Sequence, residues 1–328
     1  MSKIKIFIAG HKGMVGSAIL RLLKKQNVKI ILKDRKELNL LNQKQVRDFF
    51  IKEKVDQVYL SAAKVGGIYA NNIFPAEFIY ENLMIQTNVI HNAFLGGVKK
   101  LLFFGSSCIY PKNANQPINE KELLTGKLEQ TNEPYAIAKI SGLKMCESYN
   151  RQYGESHGID YRSIMPTNLY GPGDSYHPKN SHVIPSLINR FHLAKINNKD
   201  RVIIWGTGNP KREFLYVDDL AKASIKLMNL NKKVYEKYTS SMCSHINIGS
   251  GEEFTIKELA HIIKEITNFE GKIFFDSSQP DGVARKFLDS KKAKFFNIKS
   301  KFNLREGLIK TYEYYKKFYK LRNTSHKD

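Results

Sequence analysis

The chain has 328 residues, of which 42% are apolar, and its 53 Lys/Arg against 31 Asp/Glu give a formal charge of +22. That apolar share excludes a disordered chain, and no run approaches the ~20 apolar residues of a membrane-spanning helix. Three cysteines (Cys108, Cys146 and Cys243) make neither a disulfide framework nor a zinc pattern, and MSKIKIFIAG lacks a signal-peptide core, so a soluble, cytoplasmic protein is expected.

The first apolar run, Ile4–Ala9, reads as a buried strand. It leads into Gly10-His-Lys-Gly13-Met-Val-Gly16 and a helix-length segment over 14–26. Glycines at this spacing, between a strand and a helix, permit a tight turn and let helix N–H groups approach a pyrophosphate. A dinucleotide is therefore expected on Gly10, His11, Lys12, Gly13, Met14, Val15 and Gly16. The second strand, Val28–Leu32, runs into Lys33-Asp34-Arg35-Lys36, where an NAD site places a carboxylate for the ribose 2′-hydroxyl. Asp34 could serve, but Lys12, Lys33 and Arg35 are cations suited to a 2′-phosphate. NADP(H) is the expected cofactor, with strictness over NADH left open.

Next come a helix over 43–54, a strand at Val58–Ser61, a helix over 76–96 with Pro75 at its first turn, and a strand at Leu101–Gly105. A helix over 134–152 and a strand at Tyr161–Met165 complete the alternation. It implies the α/β class: a doubly wound parallel sheet, Rossmann-like, with helices on both faces. After Pro166 the loop PTNLYGPGDSYHPKNSH breaks the rhythm. A helix over 183–196, strands at 202–205 and 245–248, and helices over 218–229 and 255–267 point to a smaller C-terminal α/β substrate lobe. The expected division is a cofactor domain over 1–165, with 213–248 returning to it, and a substrate domain over 166–212 and 249–328. The tail from Lys286 holds 13 Lys/Arg against 4 Asp/Glu without the patterned motifs of a nucleic-acid module. It reads as a solvated surface, and neither nucleic acid nor a membrane is expected as a partner.

Tyr135 and Lys139 lie one helical turn apart on one face. An ammonium beside a phenol favours the phenolate, so the tyrosine's pKa is expected to fall towards a range useful for proton transfer. Ser106 follows the fourth parallel strand and can hold a substrate oxygen near Tyr135, at the edge where open α/β sheets bind ligands. A second YxxxK, Tyr312–Lys316 in the helical tail, follows no strand and reads as a solvated helix face.

The glycine loop, the strand-end serine and YxxxK together resemble the extended short-chain dehydrogenases/reductases, a family acting mainly on nucleotide sugars. AAKVGGIYANN (62–72), GSSCIYP (105–111), EPYAIAKISG (133–142), MPTNLYGPGD (165–174), NSHVIP (180–185), WGTGNPKREF (205–214) and PDGVARK (280–286) are similar to one branch of it. That branch converts GDP-4-keto-6-deoxy-D-mannose to GDP-L-fucose by epimerising C3 and C5 and reducing C4 with NADPH. The resemblance implies that Cys108 and His182 move the protons on carbon, while Ser106, Tyr135 and Lys139 serve the ketone oxygen. His177, five residues before His182, stays open as the alternative. Further cofactor contacts are implied at Arg35, Lys36, Glu37, Leu38, Asn39 and Leu40. Others are Phe104, Gly105, Ser106, Ser107 and Lys139, then Pro166, Thr167, Asn168, Leu169 and His182. Arg190 and Arg212 would fork onto the GDP diphosphate, Trp205 would pack on the nucleoside, and Asp281 would bond guanine or ribose, with Lys286 a weaker substrate contact. No metal is implied; a homodimer through the helices over 76–96 and 134–152 is. The alternatives are a nucleotide-sugar 4-epimerase or 4,6-dehydratase, and a non-catalytic nucleotide- or RNA-binding protein.

Overall fold

In a computed structural model, which describes residues 3–177, 181–279 and 281–324, strand and helix alternate from the start. Asn180 and Pro280 of the quoted motifs lie outside the described residues. The first half runs β1 (Lys5–Ala9), α1 (Met14–Leu23), β2 (Lys29–Ile31), α2 (Gln43–Glu53), β3 (Gln57–Leu60), α3 (Ile68–Ile73), α4 (Pro75–Leu95), β4 (Lys100–Phe104), α5 (Glu133–Tyr153) and β5 (Asp160–Pro166). The second half runs β6 (Asn168–Tyr170), α6 (Val183–Ile196), β7 (Arg201–Trp205), β8 (Lys211–Tyr216), α7 (Val217–Asn229), α8 (Lys232–Glu236) and β9 (Ile246–Ile248). It ends with β10 (Glu253–Thr255), α9 (Ile256–Thr267), β11 (Lys272–Asp276), β12 (Arg285–Lys286), α10 (Lys291–Phe295) and α11 (Leu304–Thr324). No described helix is long and apolar enough to cross a membrane.

Six parallel strands in the order β2-β1-β3-β4-β5-β9 form the main sheet. Their near-continuous apolar runs fit a sheet covered on both faces. Because side chains alternate along a strand, Phe7 and Phe103 face one core with Val46, Phe50, Val89 and Leu143 from α2, α4 and α5. Ile6, Ile8 and Leu102 face the other, against Ala18 and Ile19 of α1 and Leu220 and Ala221 of α7. Arg162, 1% exposed in β5, forks onto Asp160 at 2.7 and 2.6 Å and donates to the carbonyls of Leu227 and Leu230, so the sheet is tied to the end of α7.

The second unit contains a sheet in the order β10-β8-β12, with β6 pairing β8, and a separate parallel pair of β7 and β11. Its core gathers Ile184, Phe191, Leu259, Ile263, Leu308 and Tyr315 from α6, α9 and α11. Within 213–248, α7 and β9 pack with the main sheet, whereas β8 belongs to the second one. The second YxxxK departs from expectation. Tyr312 is only 7% exposed and its hydroxyl lies 3.0 Å from His192 Nδ1, because α11 turns this face into the small core.

Candidate active site

Strand order reverses between β1 and β3, and ligands of open α/β sheets bind beyond the carboxyl ends of the strands at such a point. A cleft of about 660 Å³ opens there. Its floor is the turn after β1. Gly10 has φ +87°, and a Cβ on it would lie 2.7 Å from Ala62 N, while one on Gly16 would collide with the Gly10 carbonyl. At Gly13 a Cβ would meet nothing nearer than Gly10 O at 3.4 Å, which leaves the cleft side of the α1 N-terminus open. That cradle fits a dinucleotide pyrophosphate.

Gly10 to Gly16, Arg35, Leu38, Asn39, Leu40, Phe104 to Ser107, Lys139, Pro166 to Leu169 and His182 all line the cleft. Lys36 and Glu37 do not. Their backbone N–H groups donate to Asp34 Oδ1 at 2.9 and 3.1 Å, and the Glu37 carboxylate accepts from Asp34 N at 3.0 Å. The other Asp34 oxygen pairs with Lys12 Nζ at 3.1 Å, so this carboxylate is spent on the turn and on a lysine. Arg35 is exposed and has no ion pair among the described residues, as a contact for a 2′-phosphate requires. Ala62, Ala63, Lys64, Val65 and Glu81 also line the cleft and were given no role from the sequence. Ala62 to Val65 follow the third parallel strand, and a strand's carboxyl end is the sequence signal that could have found them.

Lys139 is 4% exposed and donates from Nζ to the Phe104 carbonyl, 2.8 Å away at the end of β4. Burial pulls its pKa down to about 8, against an opposing pull from Cys108. The expected fall in the Tyr135 pKa is absent. Burial first, then the neighbouring Cys108, push the phenol up, and the Lys139 ammonium, 5.7 Å from the ring centroid and also donating to a carbonyl, does not offset them. Ser106 caps the short 3-10 turn Ser107–Ile109, where its Oγ accepts from Cys108 N at 3.4 Å.

Cys108 is 8% exposed and is not part of the cleft wall that Ser106 lines. Burial raises the thiol's pKa, while Lys286, the Ser106 bond and Lys139 act to lower it. The thiol thus has cations in electrostatic reach from two elements, α5 and β12. His182 is the N-cap residue of α6 and faces the cleft. Its ring is open to the cleft yet crowded by surrounding atoms, and that crowding lowers its pKa. His177 is not on the cleft wall; its carbonyl accepts from Ser181 Oγ at 2.7 Å.

Arg190, Trp205, Arg212 and Asp281 gather outside this cleft. The Arg190 guanidinium lies 6.0 Å from the Trp205 ring and donates to Ile203 O at 3.3 Å, and Trp205 is 66% exposed. Arg212 feels the charge of Asp281. Asp281 accepts from Thr207 N at 2.9 Å and from Thr207 Oγ1 at 2.7 Å, so it also holds the turn after β7. Lys286 joins the two regions: it faces Cys108 and is the register partner of Arg212 between β12 and β8.

The model of the NAD dependent epimerase/dehydratase family matches residues 6–249. The chain belongs to that family. A GDP-L-fucose synthase of Escherichia coli (strain K12) is 56% identical over 316 residues, covering 96% of this chain and 97% of the relative. Among solved structures, a GDP-6-OMe-4-keto-L-xylo-heptose reductase from C. jejuni matches with a TM-score of 0.90 at 40% identity, over 97% of this chain and 99% of that one. An NADP-bound GDP-L-fucose synthetase from Naegleria fowleri matches with a TM-score of 0.85 at 26% identity, over 98% of this chain and 96% of that one. The doubly wound parallel sheet read from the sequence is the fold of this epimerase/dehydratase member.

Proposed function

We propose that the protein is a two-step epimerase-reductase that converts GDP-4-keto-6-deoxy-D-mannose to GDP-L-fucose, with NADP(H) in the cleft beside β1 and β3. The observation that carries this reading is the 56% identity to a GDP-L-fucose synthase over 96% of the chain. The cofactor reading is supported by the glycine cradle, by Arg35 and Lys33 at the end of β2, and by the NADP-bound neighbour.

A C4 ketone acidifies the hydrogens on C3 and C5, so epimerisation needs one group to take a proton and another to return one on the opposite face of the enolate. Cys108, from the turn after β4, and His182, from the start of α6, are assigned these roles. Lys139 and Lys286 favour the thiolate when Cys108 gives up its proton. For the reduction, NADPH held along the glycine turn and Arg35 would supply the hydride for C4. Tyr135, whose raised pKa keeps it protonated, donates to the ketone oxygen as charge develops there, and Ser106 bonds the same oxygen. Lys139 then stabilises the phenolate left behind. Arg190 and Arg212 hold the diphosphate, with Trp205 on the nucleoside and a remaining acceptor of Asp281 for guanine or ribose.

In this reading the main sheet carries the cofactor and the second sheet the GDP-sugar. The protein acts in the cytoplasm as a homodimer through α4 and α5, where Tyr80 is 59% and Ile137 41% exposed, and needs neither nucleic acid nor a membrane. The heptose reductase likeness favours a second reading, reduction of a GDP-4-keto-heptose alone. Separate incubations with GDP-4-keto-6-deoxy-D-mannose and with a GDP-4-keto-heptose, each with NADPH in deuterated water, decide: NADPH loss with a deuterated GDP-L-fucose product supports the first reading. NADPH loss only with the keto-heptose, without deuterium uptake, supports the second.

A further inference from the structure

A buried polar network stands directly behind the turn that carries Cys108. Tyr110, two residues on and 3% exposed, sits in the main core. Its hydroxyl donates to Asn247 Oδ1 at 2.5 Å, and His245 Nε2 lies 3.1 Å from the same hydroxyl. Counting protons assigns the roles. Asn247 Nδ2 spends its hydrogens on Ile118 O at 2.9 Å and Asp289 O at 3.3 Å, so Oδ1 is free to accept. The single tyrosine proton goes to it, and His245 must donate from Nε2. The histidine is suited to this: it is fully buried, burial and the charges of Lys292 and Lys144 pull its pKa down to about 3, and Nδ1 has no partner among the described residues.

The same network reaches the other side of the thiol. Asn247 N donates to Glu120 Oε1 at 3.1 Å, and Glu120 faces Lys292 at 3.7 Å. Ile118 N donates to Phe287 O at 2.7 Å, and Asp289 N donates to Ile118 O at 2.8 Å. Gln116 bonds Arg285 O and Phe287 N, at 3.2 and 2.9 Å. Segment 116–120 therefore clamps the strand of Lys286 to β9, and Tyr110 clamps the Cys108 turn to the same residue, Asn247. Packing alone does not call for this arrangement. Apolar residues at all three positions would fill the site without the cost of burying polar groups that must all be satisfied.

We propose that Tyr110 is a positioning residue for epimerisation, holding the Cys108 thiol in place against the sugar through His245 and Asn247. The inference rests on the functional reading above. Tyr110→Phe keeps the ring and removes the hydroxyl. Deuterium uptake at C3 and C5 should fall on the order of tenfold or more, as expected when a reacting group is misplaced, while the NADPH Kd stays within about twofold. The loss should appear in kcat with little change in KM. His245→Leu should slow uptake in the same way. His245→Gln, whose amide nitrogen can still donate to Tyr110, should restore most of it at matched Tm. Uptake within about twofold of the unsubstituted enzyme in Tyr110→Phe, or equal loss in His245→Leu and His245→Gln, overturns the proposal alone. Absence of uptake by the unsubstituted protein overturns the functional reading and this proposal with it.

Discussion

The ammonium of Lys139 donates to the Phe104 carbonyl at 2.8 Å, which joins the second turn of α5 to the carboxyl end of β4. One carbonyl thereby sets where the charge sits in the candidate site. With its pKa at about 8 against an ordinary 10.5, Lys139 loses its proton earlier than a solvated lysine. Between those values the unfolded chain binds more protons, so this group makes stability rise with pH across that window. In the proposed mechanism activity moves the other way, since the charge assigned to steady the Tyr135 phenolate disappears. The rate of NADPH oxidation under saturating substrate should decline above about pH 8, and Lys139→Met should be slow with no such limb. A profile that stays flat to about pH 10 would contradict the assignment.

Cys108→Ser replaces a buried thiol with a hydroxyl far less willing to ionise. Deuterium uptake at C3 and C5, read by mass spectrometry, should fall by about 100-fold or more, while NADPH titration is little changed. Unaltered uptake would remove Cys108 from the mechanism.

Tyr135→Phe deletes the proposed proton donor and leaves the ring's edge contact with Phe78, whose centroid is 6.2 Å away. Reduction should drop by roughly 100-fold or more while deuterium uptake persists, so an epimerised ketone accumulates. Equal loss of both steps would make Tyr135 an organiser of the site instead of a donor.

Asp174, in a loop packed against the start of α1, has one oxygen accepting from Ser175 N at 2.8 Å and the other buried with no partner among the described residues. Burial raises its pKa to about 7 from an ordinary 3.8. The folded protein then binds more protons than the unfolded chain between those values, so stability falls as pH rises through them. Asp174→Asn should raise Tm most at about pH 8, less at about pH 5 and little at about pH 3.5, measured by scanning calorimetry. A Tm difference of the same size at all three pH values would show that the carboxyl is not desolvated.

Much of the site was legible because its signals are local. The glycines after β1 answer to a turn only a few residues long, and Tyr135 and Lys139 share a face because a helix repeats every 3.6 residues. The clustering of strand ends followed from alternation alone. Lys36 and Glu37 lie off the cleft wall because the Asp34 turn directs both backbones inward to itself. The cleft residues Ala62 to Val65 went without a role because they carry little chemistry of their own and matter through position.

Read alone, the chain determined its α/β class, the phosphate turn, the parallel strands and the residue types that could move a proton or meet a phosphate. Those properties depend on neighbours within a helical turn or on alternation along a strand. Tertiary structure alone decided that the Tyr135 pKa rises, that Tyr312 is buried, that β8 joins the second sheet, and that Tyr110 meets Asn247 across 137 residues. Desolvation sums over every atom around a group, and a strand's partner is chosen by the whole sheet. Neither quantity exists until distant segments have packed.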